Sequence, residues 1–122
     1  MARVRFLVRD VDRAISTYTT AFGFELIEQH GQAFALLRRD DLDVGLSGPE
    51  SSASRPLDDG TRPEPGGWNR ILLEVTDLEQ AALDLHKRGI VMRNGIVRGA
   101  GGAQILANDG EGNVVEFFQT GT

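Results

Sequence analysis

The sequence predicts an α+β fold of two tandem β-α-β-β-β modules, and three observations carry that prediction. Arg70-Ile-Leu-Leu-Glu-Val-Thr-Asp-Leu-Glu-Gln-Ala81 nearly restates Arg3-Val-Arg-Phe-Leu-Val-Arg-Asp-Val-Asp-Arg-Ala14. Arg3 falls on Arg70, Phe6 on Leu73, Val8 on Val75, Asp10 on Asp77, Val11 on Leu78 and Ala14 on Ala81. So long a repeat in a chain of 122 residues means two copies of one supersecondary unit. In both copies a helical pattern is then closed by a glycine, Gly23 or Gly89, and further short apolar runs follow.

The first module, residues 1–47, opens with a strand over residues 3–9. Val4, Phe6 and Val8 lie on one face, and Arg3, Arg5, Leu7 and Arg9 on the other. Asp10 is the expected N-cap of a helix from Val11 to Phe22, whose apolar stripe is Val11, Ala14, Ile15, Tyr18 and Phe22. Three strands follow over 24–29, 33–39 and 42–47, separated by turn chemistry at His30-Gly31-Gln32 and Asp40-Asp41. Residues 48–67 hold all four prolines and a run of Ser, Asp and Gly, the composition of a linker. At this length the segment also suits a lid or a hinge between exchanged modules.

The second module, residues 68–122, repeats the plan: a strand from Trp68 to Thr76, an Asp77 cap, a helix from Leu78 to Arg88 and a stop at Gly89. Ile90–Arg93 reads as a short strand and Gly95–Gly102 as a flexible connection. Ala103–Asn108 and Val114–Gln119 then form strands joined by the turn Asp109-Gly-Glu-Gly-Asn113.

Composition removes several function classes. A net charge of −5 argues against a nucleic-acid surface, which needs a basic stripe to neutralise phosphates. No apolar run approaches the roughly 20 residues of a membrane span, and the first residues lack a secretory pattern, so a cytoplasmic location is expected. Without cysteine there are no disulfides, thiolate metal ligands or thiol nucleophiles. His30 and His86 are the only histidines, one at a turn and one on a helix, with no partner at metal-ligand spacing. Gly99-Ala-Gly-Gly102 lacks the helix and lysine of a phosphate loop, and there is no Gly-x-Ser-x-Gly elbow.

Val8-Arg-Asp-Val-Asp-Arg-Ala14 leading to Ala21-Phe-Gly-Phe24 carries a family likeness. So do Val75-Thr-Asp-Leu-Glu-Gln-Ala81, Arg88-Gly89 and Asp109-Gly-Glu-Gly-Asn-Val-Val-Glu-Phe-Phe118. In this order and number they resemble the vicinal oxygen chelate superfamily, the glyoxalase/bleomycin-resistance/dioxygenase group, over nearly the whole chain. The resemblance implies a mixed sheet curled around a cleft between modules. It also implies a metal-binding histidine on the first strand of each module and a glutamate on the closing strand. Arg3 and Arg70 stand at those histidine positions, and Glu116 stands at the glutamate position. Guanidinium has donors only and stays charged, so it cannot ligate a cation. Two arginines beside Glu116 would instead supply the counter-charge of the metal, or donate to an anionic or carbonyl-bearing ligand.

Arg3 stands among arginines at positions 5, 9 and 13, and reads equally as a solvated side chain or as a cleft residue. Arg70 interrupts an apolar strand on the same face as Leu72, which favours the cleft. Glu116 lies between Val115 and Phe117 and must be paired or solvated. Trp68 suits a core anchor and a stacking platform alike, Phe34 and Phe118 share that choice, and Tyr18 is core. The expected ligand site is Arg3, Arg5, Phe34, Trp68, Arg70, Leu72, Glu116 and Phe118, with no catalytic residue, no metal and no cofactor.

On this reading the protein resembles the antibiotic-sequestering resistance proteins of the superfamily. It would bind an aromatic or polycyclic natural product without a metal, as a homodimer in which modules exchanged through the long connector are one arrangement. The other class is an enzyme of the same superfamily: a lyase, isomerase or dioxygenase acting on a vicinal-oxygen substrate. A third is a regulatory or scaffold protein whose cleft is closed by an Arg70–Glu116 salt bridge.

Overall fold

The computed structural model describes residues 2–121, and the chain divides into two compact units, residues 1–66 and 67–122. The first contains β1 (Val4–Leu7), α1 (Val11–Thr20), β2 (Glu25–His30), β3 (Phe34–Arg39) and β4 (Leu42–Ser47). The second contains β5 (Ile71–Glu74), α2 (Leu78–Lys87), β6 (Val97–Gly99), β7 (Gly102–Asn108) and β8 (Val114–Thr120). Each forms a four-stranded mixed sheet with the same connectivity, β1-β4-β3-β2 and β5-β8-β7-β6. In each, the opening strand lies parallel to the closing one and the other pairs are antiparallel. This is the α+β, two-module architecture that the repeat predicts. Among the described residues no helix is long and apolar enough to cross a membrane.

The local causes repeat as well. Asp10 and Asp77 both sit in extended backbone and accept the amide N–H three residues on, at 3.1 Å from Arg13 N and Gln80 N. Each side chain thereby satisfies one of the amides that a helix start leaves without a partner. Gly23 and Gly89 adopt φ of 77° and 81°, which lets Phe24 N reach Tyr18 O and Ile90 N reach Leu85 O, both at 3.0 Å. In the first unit α1 covers the side of the sheet that carries Val4, Phe6, Val8, Ala35, Leu37, Val44 and Leu46. Tyr18 is fully buried there, with its ring centroid 5.0 Å from Phe22, 5.6 Å from Phe24 and 6.4 Å from Phe6. In the second unit strict alternation along β5 and β7 buries Ile71, Leu73, Ala103, Ile105 and Ala107, which share the core with Val115 and Phe117 of β8 and Leu78 and Leu85 of α2.

Several element boundaries differ from those the sequence predicts. The helices stop at Thr20 and Lys87, and the opening strands are shorter than expected: Val4–Leu7 and Ile71–Glu74. Trp68 therefore lies outside the strand assigned to it, and His30 ends β2 rather than sitting in the turn. Ile90–Arg93 is not a strand, because only Met92 forms an isolated bridge, to Ala107. The ladder ends there since Leu106 N takes the Asn94 side-chain oxygen, at 3.0 Å, in place of a backbone carbonyl. The strand lies instead inside the stretch expected to be flexible, where Val97–Gly99 pairs with Gly102–Gln104 in a glycine-rich hairpin.

The connector packs with the first unit. It contains a 3-10 turn at Ser52–Ser54, and the Ser51 and Ser54 hydroxyls both donate to Gly48 O at 2.8 Å. At the other end of the chain Asp109 knits the turn before β8. Its Oδ1 accepts Glu111 N at 2.7 Å and Asn113 N at 3.0 Å, and Oδ2 accepts Asn113 Nδ2 at 3.0 Å.

Asp10→Ala and Asp77→Ala each remove one cap, so each should lower stability by about 1 kcal/mol, and the double variant by the sum. Urea titrations of the three proteins measure this. A loss near zero for either variant would show that its cap is not holding the helix start.

Candidate functional site

The side of the second sheet away from its buried core carries Leu72 and Glu74 on β5, Gln104 and Leu106 on β7, and Glu116 and Phe118 on β8. The register places Leu72 beside Glu116 and Glu74 beside Phe118. Glu116 is buried with a relative exposure of 6 %, unusual for a carboxylate unless it is paired. Its partner is Arg70, just before β5: Nε donates to Oε1 at 2.9 Å, and Nη2 lies 2.9 Å from the same oxygen. Arg70 Nη1 donates to the Trp68 carbonyl at 3.0 Å, fixing the approach to β5. The pair joins a guanidinium that is partly open to water to a carboxylate that is almost, but not wholly, enclosed.

Trp68 is 64 % exposed, which removes the core-anchor reading of this side chain. It lies at a bend before β5. The Arg93 guanidinium lies 5.1 Å from the ring centroid and is held there by its Nε hydrogen bond to Asn108 Oδ1, at 2.7 Å. Leu72 is 48 % exposed and Phe118 is half-buried. Of the residues expected at the site, the second unit therefore brings together Arg70 and Glu116 by direct contact and sets Leu72 and Phe118 on the same side of the sheet. Arg93 and Asn108 carry no signal in the sequence. Only the β7 register and the course of residues 90–94 bring Arg93 over Trp68 and Asn108 against Arg93.

The corresponding side of the first sheet is built differently. Arg5 Nη1 donates to Ser47 Oγ at 2.6 Å. The Phe34 ring lies over Gly45, where a Cβ would stand 2.9 Å from Phe34 Cε1, so a side chain at that strand position would have to displace the ring. Arg38 forks onto Asp43, with Nε on Oδ1 at 2.7 Å and Nη2 on Oδ2 at 3.1 Å. The Arg38 hydrogen bonds hold the Asp43 carboxyl below its ordinary range against the opposing push of burial, and the charges of Arg38 and Arg3 add to the lowering. Asp43 in turn raises Arg38. Arg3 is exposed and precedes β1. Asp43 and Ser47 are absent from the site expected from sequence, although a lone aspartate between Leu42 and Val44 on a strand is a signal of pairing.

The donor set does not fit a divalent cation. Among the described residues no three His, Cys, Asp or Glu side chains cluster to hold one, and the Glu116 oxygen nearest Arg70 already carries a guanidinium. His30 is exposed, with Nε2 2.9 Å from Glu28 Oε2, and His86 is exposed on α2.

Comparison with known proteins agrees with this architecture. The model of the glyoxalase/bleomycin resistance protein/dioxygenase superfamily matches residues 1–117. Among curated proteins no match is found. The chain is similar to the solved structure of lactoylglutathione lyase from Agrobacterium tumefaciens, with TM-score 0.76, 18 % identity, and coverage of 98 % of this chain and 92 % of that one. A superfamily member from Sphaerobacter thermophilus gives TM-score 0.75 and 23 % identity, with 98 % of each chain covered. The fosfomycin resistance protein FosX from Listeria monocytogenes gives 0.73 and 17 %, with 100 % and 90 % covered. At these identities the likeness is one of fold.

Two outcomes test the pairings. Glu116→Ala leaves a guanidinium that water reaches in part, and should cost about 1–2 kcal/mol. Arg70→Ala strands a buried carboxylate and should cost more, about 3 kcal/mol; the reverse order in urea melts would mean the pair is not the anchor of this face. Because the folded Asp43 pKa is depressed, its stabilisation is complete above about pH 4 and is lost as pH falls through the lower folded value. The stability gap between the parent and Asp43→Asn should therefore stay constant from neutral pH to about 5 and close only below about 4. A gap that closes near neutrality would contradict the assignment.

Proposed function

Because the chain belongs to the glyoxalase/bleomycin resistance protein/dioxygenase superfamily, we propose that it holds a small aromatic or polycyclic molecule, such as an antibiotic, without a metal ion. The observation that carries this reading is the Arg70–Glu116 pair. The resemblance puts a metal-binding histidine at position 70 and a glutamate at 116. Here a fixed positive charge on the side chain at 70 satisfies the carboxylate that a metal would otherwise take. A cation entering beside it would meet one guanidinium and no imidazole, an environment that repels it.

The exposed groups around the pair favour a flat ligand. The Trp68 indole stands open with a cation over its ring, and Leu72 and Phe118 offer apolar surface on the side of the sheet where Glu116 lies. Indole faces and guanidinium planes both stack on conjugated systems, and binding there buries apolar area while polar groups fix orientation.

Trp68 is the sole tryptophan and its carbonyl accepts from Arg70, so its emission offers a probe next to the pair. Titration with a panel of polycyclic natural products, including a mitomycin and an anthracycline, should quench it saturably with at least one member and raise the melting temperature in parallel. Protein purified without chelator should carry zinc, nickel, manganese or iron well below one per chain. Stoichiometric metal would overturn the metal-free reading, and a panel with neither quenching nor a thermal shift would overturn ligand binding.

A further inference from the structure

The geometry points to the second oxygen of Glu116 as the recognition point for the ligand, which we infer to be an aromatic bearing an N–H donor on the ring, neutral or protonated, and not an anion. This rests on the small-molecule reading above and names the class of molecule that reading would admit. Both contacts from Arg70 fall on Oε1, and among the described residues Oε2 receives no hydrogen bond. Yet no buried side-chain nitrogen or oxygen among them lacks a partner. Oε2 therefore keeps contact with water, although the residue is only 6 % exposed. It is an ionisable side chain almost wholly enclosed, with one acceptor open.

That arrangement discriminates by chemistry. A ligand lying over Leu72 and Phe118 would strip water from Oε2. If the ligand brings an N–H group, the carboxylate exchanges one donor for another, and the hydrogen bond is charge-assisted. If it brings only carbon, the oxygen is left unsatisfied, and if it brings a carboxylate, like charges are forced together. Arg70 offers an anion little recompense: Nε and Nη2 face Glu116, Nη1 serves the Trp68 carbonyl, and the pair is neutral overall. Exposed Glu74, two residues beyond Leu72 on the same side of β5, adds a further negative charge. Arg93 is turned to the indole ring and to Asn108.

Three bicyclic probes of one frame separate the possibilities: 2-aminoquinoline, quinoline and quinoline-2-carboxylate, each titrated into the intact protein and followed by amide chemical shifts and melting temperature. The expected order places 2-aminoquinoline about 10-fold or more tighter than quinoline, with the carboxylate weakest. In Glu116→Gln the advantage of the amino compound should shrink severalfold, because the charge that strengthens its hydrogen bond is gone. Equal or tighter binding of quinoline-2-carboxylate would overturn the inference and leave small-molecule binding standing, whereas absence of binding by all three at millimolar concentration would overturn both. An undiminished amino preference in folded Glu116→Gln would remove Glu116 as its source. Should that variant not fold, the order of the three probes on the parent protein still decides.

Discussion

One ten-residue helix covers one side of one four-stranded sheet, and it has no second side to offer. That constraint, imposed twice by the repeat, organises the molecule. On the helix side of each sheet the solution is apolar packing: Tyr18 with its three aromatic neighbours in one unit, and Leu78 and Leu85 with Ile105 and Phe117 in the other. On the far side there is no helix to pack against, so polar groups are admitted, but only in mutually satisfying sets. Arg70 with Glu116, Arg38 with Asp43 and Arg5 with Ser47 are those sets.

The sets are unequal in how much they leave over. Arg38 and Asp43 use both carboxylate oxygens in a fork, which closes the interaction on itself and depresses the aspartate. Arg70 converges on a single oxygen of Glu116. The first arrangement is structural in character. The second keeps an acceptor in hand beside exposed aromatic and aliphatic surface, and it is this surplus that separates a recognition surface from a salt bridge that merely fills a gap.

Much of the frame is legible in the sequence because its causes are local. Asp10 and Asp77 announce helix starts, Gly23 and Gly89 announce helix ends, and the alternation of Val4, Phe6 and Val8 along the opening strand announces a sheet with one face on a core. The Arg70–Glu116 pair is legible too, since a charge in the middle of an apolar strand must find a partner. What escapes depends on register. Val97–Gly99 has no pattern of its own and is a strand only because β7 accepts it, while Ile90–Arg93 has strand composition and only one bridge. Arg93 reaches Trp68 through the β7 register and the course of residues 90–94, which no short stretch encodes, whereas the two-residue turn between β3 and β4 sets Arg38 opposite Asp43.

The duplicated halves also reveal how far a copy can diverge while its frame is kept. Arg5 and Leu72 occupy equivalent places on the opening strands, and their register partners on the closing strands are Gly45 and Glu116. In one half that place is emptied so that an aromatic ring can lie across it; in the other it holds an acid clasped by an arginine. A side chain at Gly45 would evict the ring, and a glycine at 116 would orphan the arginine, so the halves are no longer interchangeable parts. Symmetry survives in the backbone and is lost in the side chains, which leaves each copy free to change its far face without disturbing the helix packed on the other.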